Sequence, residues 1–531
     1  MRRFRPALEA LEWRDVPAIW TDASGDHSAS NPANWLSGSL PQAGDVLYFS
    51  GGYTSDDCVG LAGLTYWGLL FDGGYAGTVT AQSGFGAGIV SLAVGSLDVQ
   101  GAANITTAQV TGGSLLVEGA ATIGTLSLSG GAAMVGGPVT AGSLSVSDGT
   151  ATLTSGGTVG SATVSGGTVG LGGQGGGFSF GTFQLLGGEI LQAAAADMTV
   201  TQEVNWTAGD INAAGNAAKL IISGATGTIA PDNAGSVAIG STLNIVNGAS
   251  VTFDVGTISF EGGEGVKVEN AKAELVTADD KYEQAKLDWK AGQGGGVVPG
   301  PLLLLAEGSD YHLVRRSTTK IGEWHTNFPI VNNGGTLRVD GAIAVFVDGR
   351  LPGNGPSIKQ YPTSSIQISG GSGITVPYGI VISGGTFEAS WTKQSGELVT
   401  VVGNMLVNDK SAGVIGFNTN GYGTILVQGN VTWSAGNYSP GVDGATPGRS
   451  DRWKATGTFT VGLDARLAPH VNNDESAQSG WTWIILDTAN TGQIEGDPPP
   501  LRPDWTPAVD KNYTVDTSGE PPVRYWLLQR K

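Results

Sequence analysis

The chain has 531 residues, of which 87 are glycine, 40% are hydrophobic and only 14% are charged. A disordered chain would carry fewer aliphatic and more charged residues, and the glycines lack the three-residue period of collagen. Lysine and arginine total 27 against 46 aspartate and glutamate, a formal net charge of −19, so a nucleic-acid partner is not expected because its phosphates would be repelled.

Residues 1–18 contain a basic cluster but no apolar core of about 7–15 residues, so the rules for secretory signals alone would predict a cytoplasmic chain. The segment LEALEWR, from Leu8 to Arg14, and the following Val16-Pro17-Ala18 resemble the leader of exported planctomycete surface proteins. That resemblance implies an export leader at 1–18, removed near Ala18, and a protein that is extracellular or on the cell surface. No later stretch approaches the ~20 apolar residues of a transmembrane helix.

We expect residues 19–87 to form an N-terminal cap and the first coils of a repeat. The segment contains Trp20, Asn34-Trp35, Gly38, Pro41, Asp45 and Phe49. That pattern resembles the opening of autotransporter-passenger-like repeat proteins, which implies a β-helix. The single cysteine, Cys58, excludes an intrachain disulfide and is predicted to be a buried, inert thiol rather than a reactive one.

From Gly88 onward the sequence repeats every 18 residues, with copies that start at Gly88, Thr106, Gly124, Gly142 and Gly160. Internal repeats of this length predict a solenoid. Apolar residues alternate in each copy, as at Leu126/Leu128 and Leu144/Val146, which is typical of strands with one buried face. Three short strands per copy predict triangular coils, so residues 88–263 are interpreted as a regular, parallel β-solenoid in an all-β fold.

Glycine recurs at the eighth and fourteenth positions of the copies, where the predicted strands end. We expect these glycines to form the corners of the coil with positive φ. The eighth position is Gly95, Gly113, Gly131, Gly149 and Gly167; the fourteenth is Gly101, Gly119, Gly137, Ser155 and Gly173. Three further glycines at 175–177 are expected to lengthen one coil.

The segment 264–300 is charged and then glycine-rich, and it is interpreted as an insertion or a junction, with a helix expected over 278–290. Strand-like patterns resume with irregular spacing over 301–436. At 437–531, Asn437-Tyr438-Ser439-Pro440 and Trp481–Asp487 resemble the closing coils and cap of passenger-type proteins. No translocator domain follows before Lys531, so we expect export by another route.

Tryptophans gather near both ends of the sequence. We expect them to close the stack as caps; the alternative is a set of platforms on which sugar rings stack. They are Trp13, Trp20, Trp35, Trp67, Trp481, Trp483, Trp505 and Trp526.

One cluster of polar residues favours a carbohydrate-active enzyme as an alternative, since such sites place carboxylates and basic groups on adjacent coils. Its members are Glu307, Asp310, His312, Arg315, Arg316, Glu323 and His325. The other interpretation is a solvated polar loop. The four histidines are scattered and the acidic stretches at 22–26 and 472–475 lack calcium-loop spacing, so neither metal nor cofactor is expected.

Small hydroxyl side chains recur at the outward fourth and sixth positions of the copies, a set that we call the hydroxyl ladder. Its members are Thr111, Ser127, Ser129, Ser145, Ser147, Thr163 and Ser165, with Gln109 beside them. Flat hydroxyl arrays occur in ice-binding proteins and adhesins, and an ordinary solvated strand face is the other interpretation. Taken together, the sequence predicts a non-catalytic protein with a structural or adhesive role, with polysaccharide, other surface proteins or a second copy as partners.

Overall fold

The computed structural model describes residues 17–530. Its gaps are 83, 175, 215–216, 232–235, 255, 261–264, 278–283, 290–301, 316–321, 327–328, 341–342, 349, 352–355, 370–371, 391–397, 417–421, 444, 447–448, 473–481, 489–493, 496–512 and 517–524. The chain forms two compact units, Met1–Asp197 (unit 1) and Met198–Lys531 (unit 2). Both are built from β-strands, most of them paired in parallel.

Unit 1 contains one short 3-10 helix, Pro32–Asn34, among its described residues. Its strands are β1 Ala18–Ile19, β2 Val46–Ser50, β3 Cys58–Leu61, β4 Thr65–Asp72, β5 Thr78–Gln82, β6 Phe85–Leu92, β7 Ser96–Gln100, β8 Ala103–Val110, β9 Ser114–Val117, β10 Ala121–Val135, β11 Val139–Leu153, β12 Gly157–Val164, β13 Thr168–Leu171 and β14 Phe178–Gln192. Longer strands such as β10 pass around corners of the coil, and each of their straight parts belongs to a different sheet.

These strands stack into three parallel sheets, which we name in the order in which one coil passes through them. In the coil that begins at Ala121, sheet A holds Ala121–Ile123, sheet B holds Thr125–Leu128 and sheet C holds Ala132–Val135. Each of these residues pairs in parallel with the residue 18 positions later, whereas Ser129, at the corner between sheets B and C, pairs with Asp148. The predicted β-solenoid with triangular 18-residue coils is therefore confirmed.

The core of unit 1 is the set of inward positions that alternate along every strand. Leu126 pairs with Leu144 and Leu128 with Val146, and all four side chains are buried. An isolated coil could not remove these aliphatic groups from water, whereas a stack buries them between successive coils. The alternation of the sequence therefore determines which face of each strand points inward.

Glycine is required at the corners of the coil for two different reasons, positive φ and close approach of the adjacent coil. Gly131 and Gly149, at the eighth position, have φ of 65° and 81°, as expected. The expectation of positive φ is wrong for Gly119, Gly137 and Gly173 at the fourteenth position, and also for Gly113 at the eighth. At Gly119 and Gly137 a Cβ would lie 2.5 Å and 2.4 Å from the carbonyl carbon of the glycine one coil earlier. Glycine is required there because the coils approach closely.

Unit 2 begins with the long strand β15 and continues as three-stranded coils. Its strands are β15 Met198–Ala213, β16 Lys219–Ser223, β17 Thr226–Ile229, β18 Ser236–Ile239, β19 Thr242–Val246, β20 Ser250–Asp254, β21 Gly256–Phe260, β22 Gly265–Glu269, β23 Lys272–Thr277, β24 Gln284–Trp289, β25 Leu302–Leu305, β26 Asp310–Arg315, β27 Gly322–Thr326, β28 Ile330–Asn332, β29 Thr336–Asp340, β30 Ile343–Val347, β31 Ile358–Gln360, β32 Ser365–Ser369, β33 Gly373–Thr375, β34 Ile380–Ile382, β35 Thr386–Ser390, β36 Leu398–Val402, β37 Met405–Val407, β38 Gly413–Ile415, β39 Thr424–Gln428, β40 Val431–Ser439, β41 Gly441–Asp443, β42 Arg452–Ala455, β43 Phe459–Leu467, β44 His470–Asn472, β45 Thr482–Thr488, β46 Ile494–Glu495, β47 Tyr513–Asp516 and β48 Tyr525–Arg530.

From β16 to β37, every strand pairs in parallel with the strand three places later, which defines sheets D, E and F. Sheet D contains β16, β19, β22 and β25; sheet E contains β17, β20, β23, β26 and β29; sheet F contains β18, β21, β24 and β27. Coil length varies here, as predicted: Leu220 pairs with Leu243 but Val266 pairs with Leu303.

The prediction of a helix over 278–290 is wrong for Gln284–Trp289, which is strand β24. This strand pairs with β21 before it and with β27 after it. Its sequence, QAKLDW, alternates polar and apolar residues, and the ladder hydrogen bonds offered by both neighbours favour the strand over the helix. Strands β22 and β23, at Gly265–Glu269 and Lys272–Thr277, likewise lie in the stack.

Aromatic packing closes the beginning of unit 1. Trp20 and Trp35 are 0% and 1% exposed, with ring centroids 5.2 Å apart, and Trp35 packs in turn against Phe49. Trp67 differs, because 63% of it is exposed. Trp20 and Trp35 are thus buried in aromatic packing, as the cap interpretation requires, whereas Trp67 is not.

The remaining tryptophans of the two clusters are less fully described. Trp483 belongs to strand β45 and Trp526 to strand β48, and these two strands pair antiparallel near the end of the chain. Trp13, Trp481 and Trp505 lie outside the described residues.

Candidate functional site

The fourth positions of the hydroxyl ladder form a continuous line across sheet B. Gln109, Ser127, Ser145 and Thr163 are successive register partners, and each is exposed or half-exposed. Strands in a sheet lie about 4.8 Å apart, so these side chains repeat at that interval. We call such a line of equivalent residues a rank.

The sixth positions of the ladder have a different role. Thr111, Ser129, Ser147 and Ser165 lie at the corner between sheets B and C, where Ser129 is the register partner of Asp148 and not of Ser147. Oγ of Ser147 donates to the carbonyl oxygen of Leu128 at 3.2 Å, and Thr111 makes the equivalent bond at 3.5 Å to Leu92. Hydroxyls at this corner therefore satisfy backbone carbonyls of the preceding coil, and the ladder is not one flat array.

Two further polar ranks were not predicted from the sequence. The second position of the copies gives Thr107, Thr125, Ser143 and Ser161 on sheet B, parallel to the rank of Ser127. Within it, Oγ of Ser143 donates to Oγ1 of Thr125 at 3.1 Å. Sheet A carries exposed Asn104, Thr122, Thr140 and Thr158 in register. Both ranks could have been predicted from the sequence, because their positions alternate with buried aliphatic residues along each strand.

Lysine and arginine are absent from the coils of unit 1. No lysine or arginine occurs between Arg14 and Lys219, so none lies in the described part of unit 1. Along the regular coils the acidic residues are Asp98, Glu118 and Asp148. The coil faces therefore offer neutral hydrogen-bonding groups, with no paired acid and base for catalysis.

A shallow groove follows the corner between sheets B and C, with a volume of about 560 Å³. Gly95, Gly113 and Gly131 form much of its wall, together with Ser96 and Ser114. Oγ of Ser114 donates to Oγ of Ser96 at 2.7 Å, which links two coils. The groove exists because the corner residues carry no side chains.

In the N-terminal loop, the polar groups of residues 22–34 bond to one another. Asn34, fully buried, donates to Oδ1 of Asp26 at 2.5 Å and accepts from Oγ of Ser24 at 2.6 Å. Asn31 donates to Oδ2 of Asp26 at 2.8 Å. These bonds and the backbone N–H of Ser28 hold the pKa of Asp26 well below its ordinary value. The oxygens of this loop thus stabilise a turn.

The enzyme candidates of unit 2 are divided between sheets. Asp310 and His312 lie on β26 of sheet E, whereas Glu323 and His325 lie on β27 of sheet F. Glu307 is exposed at the turn before β26, and Arg315 is the last residue of that strand. Arg316 lies outside the described residues. Asp310 and His312 therefore lie on a different sheet of the coil from Glu323 and His325.

Two basic residues that were missed from the sequence lie beside Asp310 and His312. Lys272 is the register partner of Asp310 one coil earlier, and Arg338 is the partner of His312 one coil later. They are 38 and 26 residues away from those partners in sequence, so only the coil register could have found them. Sheet E thus carries a short charged patch, which we define as Lys272, Asp310, His312 and Arg338.

Some polar atoms in and below this patch lack described partners. Oδ1 of Asp310 and Nε of Arg338 are buried, and neither makes a hydrogen bond with the described residues. Tyr311, between Asp310 and His312, points inward, and burial raises its pKa above the ordinary value of 10. Buried polar groups normally have partners, so this oxygen and this nitrogen are exceptions among the described residues.

No group of three or more histidine, cysteine, aspartate or glutamate side chains among the described residues is placed to hold a metal ion. Within the same residues, no helix has the length and apolar character needed to cross a membrane. No protein-family model matches the sequence, and no curated protein is significantly similar to it.

Proposed function

We propose that this protein is a non-catalytic, exported β-solenoid with a structural or adhesive role at the cell surface or in the extracellular matrix. The observation that carries the proposal is the neutral face of sheet B, where two ranks of hydroxyl and amide side chains repeat without a basic residue. Such a face can bind a polymer through many weak, repeated hydrogen bonds, so that avidity replaces a deep pocket.

Export is supported by the leader-like segment Leu8–Ala18 and by the likeness of both chain ends to passenger-type proteins. It is tested on protein from the native cell by surface proteolysis and by mass spectrometry of the N-terminus. We expect surface-exposed protein with cleavage near Ala18. Recovery from cytosol alone, with Met1 intact, would contradict export.

Adhesion through sheet B is tested with the purified full chain and a panel of insoluble polysaccharides. Lysine at Ser127 and Ser145 would place two long cations at the centre of the face, so the Ser127→Lys/Ser145→Lys variant should bind less. Thr152→Lys, on sheet C, is the matched control and should bind like the wild type. Equal binding by all three proteins would show that sheet B is not the binding face.

A second candidate function is a carbohydrate-active enzyme, and the charged patch of sheet E favours it. A carboxylate and an imidazole on one strand, with cations on both adjacent coils, could bind an acidic sugar and transfer protons. The test is cleavage of acidic and neutral polysaccharides, with and without Ca²⁺. Turnover that is lost in Asp310→Asn and His312→Gln, but kept in Glu388→Gln on the same sheet, would establish the enzyme.

A further inference from the structure

Trp67 is the most exposed aromatic side chain among the described residues, at 63%, whereas Trp20 and Trp35 are buried in the cap. Within the described part of the chain, its ring contacts no other aromatic ring and its indole N–H donates no hydrogen bond. An exposed indole offers a flat apolar face that a ligand can cover. Trp67 thus differs from Trp20 and Trp35 in being accessible to a ligand.

Trp67 lies at the corner between sheets A and B, in the gap between the register pairs of Tyr66 and Gly68. On the next coil Gly88 occupies the same corner, so close that a Cβ there would lie 2.6 Å from the Trp67 carbonyl oxygen. Gly124 and Gly142 hold the equivalent position farther along. We call this the AB corner. Thr106 lies at this corner between Gly88 and Gly124, so beyond Trp67 the indole projects above an edge of small residues.

On the coils that follow Trp67, the side chains beside the AB corner are uncharged and, apart from half-buried Ile89, hydrogen-bonding, whereas Asp45 occupies the corner one coil earlier. Thr65, two residues before Trp67, is exposed, and the same rank continues through Gly86 to Asn104, Thr122 and Thr140. An indole flanked by hydroxyl and amide groups presents an apolar face beside polar partners. A pyranose ring is complementary to that combination, because its axial C–H groups form an apolar face and its hydroxyls lie around the edge.

The negative charge of unit 1 favours neutral polymers over anionic ones. Its described residues include no lysine or arginine and many carboxylates, so uronate or sulfated chains would be repelled. Anionic membrane surfaces are disfavoured for the same reason. A protein interface would need an apolar centre around the indole, whereas exposed Thr65 separates Trp67 from the nearest exposed apolar residue in sequence, Leu64.

We propose that Trp67 is a stacking platform for a neutral polysaccharide, whose chain follows the AB corner along the successive coils. The proposal rests on the adhesive function proposed above and adds to it the class of polymer and the residue that binds it. The ranks on either side would supply hydrogen bonds to the hydroxyls of successive sugars.

The experiment measures binding of the full chain to microcrystalline cellulose, chitin, mannan and a β-1,3-glucan, with alginate and polygalacturonate as anionic polymers. We expect binding to at least one neutral polymer and to neither anionic one. Trp67→Ala should raise Kd about tenfold, the upper range for one aromatic stacking contact, and Trp67→Phe should raise it less. Met134→Ala removes an exposed apolar side chain from sheet C and should leave Kd unchanged.

The possible failures are distinguishable. If the wild type binds a neutral polymer and Trp67→Ala binds it equally well, the stacking platform is wrong and adhesion stands. If no polymer binds but the protein is found at the cell surface, this proposal fails while a structural role stands. If Trp67→Ala instead dissociates an oligomer in sedimentation velocity, Trp67 belongs to a protein interface and the proposal is overturned.

Discussion

Leu126 and Leu144 are register partners on adjacent coils of sheet B, and both side chains are buried, with 1% and 2% exposed. Each therefore covers the other from water, although 18 residues separate them in sequence. Ser145, the next residue after Leu144, is exposed on the opposite face of the same strand. Two neighbouring residues thus meet entirely different environments.

This contrast predicts different costs for the same substitution. Leu144→Asp would bury a carboxylate without a partner and should lower the free energy of unfolding by roughly 2–7 kcal/mol. Ser145→Asp is a surface change and should alter it by about 0.5 kcal/mol or less. Urea denaturation of both variants measures the difference. Equal effects would mean that Leu144 does not lie inside the stack.

The second prediction concerns close approach at the AB corner. A Cβ on Gly142 would lie 2.5 Å from the carbonyl oxygen of Gly124, so Gly142→Ala should force the coils apart and cost about 1–3 kcal/mol. Gly170 lies within β13, and a Cβ added there would lie 3.6 Å from its nearest neighbour, Oγ1 of Thr152. Gly170→Ala is the matched control, expected to be neutral or slightly stabilising in thermal unfolding. Similar losses in both variants would contradict the steric explanation.

The third prediction concerns the single thiol. Cys58 is fully buried on β3, and burial raises the pKa of its thiol well above the ordinary value of 9, so little thiolate is present at pH 8. We expect no alkylation of the native protein by iodoacetamide and complete alkylation in guanidinium chloride. Ser129→Cys, at an exposed corner, supplies a reactive control. Rapid alkylation of native Cys58 would mean that β3 opens readily.

The fourth prediction concerns acid stability. The pKa of Asp26 is lower in the folded chain than its ordinary value of 3.8, because Ser28, Asn31 and Asn34 hydrogen-bond to the carboxylate. Its contribution to stability is therefore complete above pH 3.8 and is lost as the pH falls from there toward the folded pKa. Asp26→Asn should thus be less stable than the wild type at pH 7, and the difference should shrink below pH 3.8.

Thermal unfolding of the full chain between pH 7 and pH 2.5 measures this effect. Glu118→Gln removes an exposed carboxylate from a regular coil of the same unit and serves as the control. A difference between wild type and Asp26→Asn that stays constant over the whole range would show that the charge of Asp26 has no part in holding the loop.

The coil could be predicted from sequence because each of its causes is local and repeated. Leu126 and Leu144 alternate with polar residues at a fixed spacing, and the repeat itself supplies their register. Where the spacing varies, the prediction weakens: strand β24 was expected to be helical, since its pairing with β21 and β27 is not visible in its own composition.

The candidate sites were harder to predict because they are assembled across coils of unequal length. The sequence brings Glu307 and His325 within a short span, but the structure places Asp310 beside Lys272 and His312 beside Arg338. Similarly, the composition of the N-terminal segment does not distinguish buried Trp35 from exposed Trp67. That difference depends on which residue occupies a corner.

One irregular coil indicates how such a protein can change in length. Gly157 pairs with Phe178, 21 residues later, and the three additional residues fall at a corner between Leu171 and Phe178. Val164 and Leu185 still pair, so the extra length leaves the strands beyond it in phase. Insertion of one residue within a strand would instead turn every following side chain to the opposite face. Duplication or loss of a whole coil keeps all faces in phase, so gene variants of this stack should differ by complete copies or by corner insertions, and each added copy lengthens the binding edge by one strand spacing.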